Sequence, residues 1–136
     1  MNIDGFIGDV QRWVRNKTDI RAIALVGSHA RGQARPDSDI DIVMLCLEPS
    51  RYLEQTDWTS EFGEITSVSM EDWGKVQSVR VHYRKGLEVE FGLTSTHWAQ
   101  IPTDEGTIKV VKRGVVILLD RDEALTRVTG QVRQSA

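Results

Sequence analysis

The chain has 136 residues, is 40% hydrophobic and 27% charged, and carries a formal net charge of -3, which suits a single domain, residues 1–136, with one sizeable core. An acidic balance lacks the cationic excess needed to grip a long nucleic acid through its phosphates, so a small or locally bound partner is expected. A single cysteine, Cys46, excludes a disulfide framework and a cysteine zinc site.

Ile3, Phe6, Ile7, Val10, Trp13 and Val14 recur at helical spacing, which predicts an amphipathic helix over 3–16. "RAIALVG" then reads as a short buried strand ending at Gly27. A second strand, "SDIDIVMLCL", contains Cys46, expected as a buried structural thiol. "PSRYLEQTDWTSEFG" reads as helical first and irregular later, with Pro49 in the first turn. From Glu64 to Leu93, three β-branched or alternating runs divided by Gly74 and Gly86 predict three successive antiparallel strands. "TSTHWAQIPTDEG" mixes turn formers with a short helix, and "TIKVVKRG" ends at Gly114. "VVILLD" is another buried strand and "EALTRVTGQVRQ" a closing helix. No run approaches the roughly eighteen apolar residues of a membrane span, which points to a cytoplasmic protein with no membrane partner. The predicted class is α+β: a mixed, largely antiparallel sheet with helices packed mainly on one side. "GSHARG" is not the Gly-rich dinucleotide fingerprint, and no phosphate-loop lysine motif is present.

The second strand raises the chemical question, because Asp39 and Asp41 interrupt an otherwise apolar run. Residues two apart on a strand face the same side, about 7 Å apart, so both carboxylates are presented to one place. One reading has them solvated or bonded to amides of the "RPDSD" turn. The other has them neutralised by divalent cations, since Mg2+ takes carboxylate oxygens together with substrate phosphates, and two ions ~4 Å apart suit an in-line phosphoryl or nucleotidyl transfer. Gly27 and Ser28 add to the second reading. They end one strand and begin a helix, where free N–H groups favour a phosphate.

Gly27 and Ser28, ten residues, then Asp39-Ile40-Asp41 resembles the nucleotidyltransferase superfamily that includes DNA polymerase beta. "GSHARGQARPDSDIDIVM" is especially similar to its minimal and antibiotic-modifying members. The resemblance implies that Gly27 and Ser28 hold a triphosphate, that Asp39 and Asp41 hold metal, and that a third acid on a neighbouring strand completes the site. "LEVEFGL" offers Glu88 and Glu90 on one face; Glu90, between Val89 and Phe91, matches the hydrophobic-acid-hydrophobic pattern and is chosen. Asp39, Asp41 and Glu90 are thus the expected catalytic and metal residues, and Gly27, Ser28, Arg31 and Ser38 the expected nucleotide contacts. Arg31 has the alternative of pairing with Asp37, and Ser38 of simply starting the strand. His29 lies in the same turn. Lys109, Lys112 and Arg113 either neutralise phosphate or form a solvated helix face. His82 is expected at the surface, Trp98 as packing close to the pocket beside His97, and Trp13, Trp58 and Trp73 in the core or an interface.

The implied reaction moves a nucleoside monophosphate, AMP, from a nucleoside triphosphate to a hydroxyl of a small-molecule acceptor, with two Mg2+ ions and release of pyrophosphate. The alternatives are a minimal nucleotidyltransferase antitoxin that modifies or binds a partner protein, and a non-catalytic nucleotide-binding module. A second subunit completing the groove as a homodimer is a further expectation.

Overall fold

The computed structural model describes residues 3–101 and 103–134. Ile3–Val14 (α1) buries Phe6, Val10 and Val14, the stripe its spacing predicts. Ile20–Val26 (β1) runs straight into a four-residue helix, Gly27–Ala30 (α2). Ile40–Cys46 (β2) is followed by Ser50–Glu54 (α3) and a 3-10 turn, Asp57–Phe62. The expected meander forms Ile65–Asp72 (β3), Gln77–Tyr83 (β4) and Glu88–Ser95 (β5). A 3-10 turn at Thr96–Ala99 leads to Glu105–Arg113 (α4), Val116–Asp120 (β6) and Ala124–Gln134 (α5).

The six strands make one mixed sheet in the order β3-β4-β5-β2-β1-β6. Every pairing is antiparallel except β2 with β5. That parallel pair arises because the chain leaves β2, builds the β3–β4 hairpin, and returns beside β2, which aligns Asp41 with Glu90.

The class and the mixed sheet agree with the sequence, but the placement of helices mainly on one side does not hold. One core cluster joins α1 and the Asp57–Phe62 turn to Ile23, Ile42, Met44 and Phe91. A second joins Trp98, α4 and α5 to Ala22, Ala24, Val43 and Leu45 on the opposite face. β1 and β2 are apolar on both faces, so each face needs a cover. The first cluster is strongly aromatic: Trp58 meets Phe91 edge-on at 5.0 Å and stacks on Trp13 at 5.3 Å, and each such side chain contributes roughly 1.5–3 kcal/mol by leaving water. Trp13 and Trp58 are therefore core residues as expected, and Cys46 is fully buried, its thiol pushed up to about 12 by that burial.

Candidate active site

Strand alternation sorts β2 into two sets. Ile40, Ile42 and Met44 enter the aromatic core, while Asp39 and Asp41 share the face of Val43 and Leu45. On β5, Val89 and Phe91 fill the same core, which turns Glu90 onto the face of the aspartates. Carboxylate oxygens of Asp39, Asp41 and Glu90 lie within 4.8 Å of one another. Burial raises the Asp41 carboxyl to about 8, and the neighbouring Asp39 charge and then Glu90 add to the shift. Asp41 Oδ1 is buried with no hydrogen-bond partner among the described residues.

Glu88 lies outside that triad. It bonds Arg80 and stands 3.8 Å from His82, whose ring is about half exposed, as expected of a surface residue. Arg80 is the cation of this region: Nη1 donates to Asp39 at 3.1 Å, Nε to Glu71, and Nη2 lies 3.3 Å from Glu90. Sequence reasoning missed it, although the alternation of "QSVRVHY" sets Arg80 opposite Val79 and Val81 and so on the acidic face. Trp73, expected in the core or an interface, is not in the core: it is 61% exposed, and its Nε1 donates to Glu90 Oε1 at 2.8 Å. It sits in the β3–β4 turn, between Asp72 and Gln77.

Gly27 has φ +74, and a methyl there would collide with Asp41 Oδ2, with Cγ only 3.2 Å away. Only glycine meets both demands, so it makes room for the Asp41 carboxylate. The residue preceding α2, Val26, supplies no side-chain cap, and the first-turn N–H groups of a helix have no partner within the helix. A cleft of about 610 Å³ opens above the sheet, lined among others by Gly27, Arg31, Asp41, Trp73, Glu90 and Arg113. Arg31 Nε donates to Gln33 at 3.3 Å; a pairing with Asp37 is not among the ion pairs of the described residues. Ser38 Oγ accepts from Arg35 N–H at 2.8 Å, closing the turn that delivers Asp39, and the His29 ring stands 3.4 Å from the Ser38 carbonyl. Trp98 both packs in the second core and reaches the cleft wall, while His97 is exposed and bonds Ser95.

An all-oxygen donor set with one orphaned carboxylate oxygen suits a hard divalent cation. The family model for streptomycin adenylyltransferase matches residues 5–135. The chain belongs to that family. It therefore falls within the nucleotidyltransferase superfamily, as the Gly-Ser and Asp-Ile-Asp motifs imply. Among solved structures it is similar to an aminoglycoside 6-adenyltransferase from Bacillus subtilis, at 17% identity and a TM-score of 0.53, over 71% of this chain and 35% of that one. It is also similar to a CCA-adding enzyme in complex with CTP, at 14% identity and a TM-score of 0.49, over 96% of this chain and 35% of that one. At 17% identity the first likeness establishes the fold alone. The chain spans about a third of the length of these structures, and no curated protein matches it. In this member of the streptomycin adenylyltransferase family, Asp41, Glu90, Trp73 and Gly27 all line one cleft.

Proposed function

We propose that residues 1–136 act as one nucleotidyltransferase domain that transfers the adenylyl group of ATP to a hydroxyl of a small-molecule acceptor, with Mg2+, releasing pyrophosphate. The convergence of Asp39, Asp41 and Glu90 within 4.8 Å, in a chain of the streptomycin adenylyltransferase family, carries this reading. The family's description makes streptomycin the first acceptor to try.

Asp39, Asp41 and Glu90 would hold the cation, and the Asp41 oxygen that lacks a partner would gain one. A divalent cation held there would supply charge to offset the triphosphate and to lower the pKa of an acceptor hydroxyl. The N–H groups of Gly27 and Ser28 face the β and γ phosphates, with Arg31 as a balancing cation and the Ser38 O–H as a further donor. Glu90 receives the acceptor's proton as the new O–P bond forms and the bond from the α-phosphorus to the pyrophosphate oxygen breaks. The Asp41 carboxylate fills the space a side chain at residue 27 would need, so the acid and the glycine turn lie side by side. No described helix is long and apolar enough to cross a membrane.

Calorimetry with Mg2+ and a non-hydrolysable ATP analogue tests the donor half. Binding is expected in the wild type and its loss in Asp39→Asn and in Asp41→Asn, with the fold retained. Wild-type affinity in both variants would rule out the metal assignment.

A further inference from the structure

The turn between β3 and β4 curls over the cleft face of the sheet and is tethered there at three points. Trp73 Nε1 donates to Glu90 Oε1 at 2.8 Å, Thr94 Oγ1 donates to the Lys75 carbonyl at 2.7 Å, and Lys75 Nζ bonds Asp104 Oδ2 at 2.6 Å. The other Glu90 oxygen, Oε2, lies 3.3 Å from Arg80 Nη2. Glu90 is thus held at both oxygens by groups of the β3–β4 hairpin. The Trp73 ring nonetheless stays 61% exposed on the cleft wall. A large apolar ring fixed in direction and left in water has a face to offer.

The transverse order of the sheet decides what that face meets. Trp73 and Arg80 belong to the β3–β4 side, Glu90 to β5, Asp39 and Asp41 to β2, and the Gly27 turn follows β1. The phosphate end lies on the β1 side of the aspartates, which leaves the hairpin side for the acceptor. Asp39, Glu71, Glu88 and Glu90 all share the Arg80 guanidinium, so this side is anionic.

We propose that Trp73 is an acceptor-positioning residue: its exposed ring seats an amine-bearing ring, and its N–H fixes the Glu90 carboxylate at the edge of that seat. The inference rests on the nucleotidyl-transfer reading above. A ring stacked on the indole brings an edge hydroxyl beside Glu90, because the indole N–H and the carboxylate are in direct contact. An ammonium group on that ring gains both from the surrounding carboxylates and from the indole face.

Trp73→Phe keeps the ring and removes the N–H, whereas Trp73→Ala removes both. With ATP, Mg2+ and streptomycin, Trp73→Phe is expected to lower kcat roughly tenfold or more, as losing one hydrogen bond to a charged group would, and to leave the acceptor KM near wild type. Trp73→Ala is expected to raise the acceptor KM roughly tenfold as well, the size of one lost aromatic contact. Calorimetry is expected to show the same split without turnover: weaker streptomycin binding in Trp73→Ala and unchanged affinity for the Mg2+-bound ATP analogue in both variants. A merely structural role would not separate these constants. Wild-type kcat and KM in Trp73→Ala overturn the proposal and leave the transfer reading standing. So does a loss of nucleotide affinity with the acceptor KM intact, which assigns the ring to the base. A wild type that binds the nucleotide but neither binds nor modifies streptomycin overturns the amine-bearing seat. One that binds no nucleotide and transfers nothing overturns the transfer reading, and this inference falls with it.

Discussion

Asp41 keeps its proton where an ordinary carboxylate has lost it. Its carboxyl is raised from 3.8 to about 8, chiefly by burial and then by the Asp39 charge. Between those two values the folded protein binds one more proton at this group than the unfolded chain does, so the metal-free protein loses stability as pH rises through that window and levels off above it. Thermal denaturation in chelator should show the melting temperature falling across this range, and Asp41→Asn should flatten the fall; parallel curves would contradict the burial. The convergence of Asp39 and Asp41 and the strand-to-helix turn at Gly27 were legible in the sequence because a strand's period of two and such a turn are local properties. The choice of Glu90 over Glu88 was legible only as a pattern, whereas in the fold it follows from the parallel register that sets Glu90 beside Asp41. Arg80 and Trp73 escaped because their partners lie on other strands. If Glu90 receives the proton, Glu90→Gln should lower turnover roughly 100- to 10,000-fold and keep much of the nucleotide affinity, and Glu88→Gln should change turnover far less. Steady-state rates with streptomycin check this; the reverse ranking would reassign the third acid.

The order of helices and strands follows from periodicity and glycine punctuation, and each predicted element forms, although β6, expected as a buried strand, is a part-exposed edge strand with Val116 and Ile117 in solvent. The distribution of helices over the sheet was harder, because it depends on reading "IDIVMLC" as a strand covered on both faces. Its unbroken run from Ile42 to Cys46 holds that information, and the second core with Trp98 and Leu125 uses it. α4 belongs to that second layer and also touches the site. Asp104 accepts from Thr107 N–H at 2.9 Å at its start and pairs with Lys75 of the hairpin turn. The Lys75 bond and then the Thr107 N–H hold the Asp104 carboxyl down to about 2. Asp104→Ala should therefore cost about 1 kcal/mol at neutral pH, the typical value of a lost N-cap. That contribution is present above 3.8 and fades as pH falls through about 2. Urea denaturation of the two proteins should show a gap at neutral pH that closes in strong acid; a gap independent of pH would mean that the carboxylate is not its source.

At the scale of the molecule, the charge of -3 and the 610 Å³ cleft are the grounds on which we propose a small second substrate over a polyanion. The sheet sets the order of groups across that cleft, with the glycine turn after β1, the acids at β2 and β5, and the aromatic turn beyond them. The family was legible from residues 27–44 because the two motifs occur together at one spacing; the cleft wall was not, because it is assembled from the hairpin turn and α4, which lie far apart in the sequence. The most direct measurement is transfer of label from α-phosphate-labelled ATP to streptomycin, with and without Mg2+, in the wild type and in Asp41→Asn. Labelled adenylyl-streptomycin formed by the wild type with Mg2+, and lost both without the ion and in the variant, is the expected result. Transfer that persists in Asp41→Asn, or a wild type that binds both substrates and forms no labelled product, would contradict it.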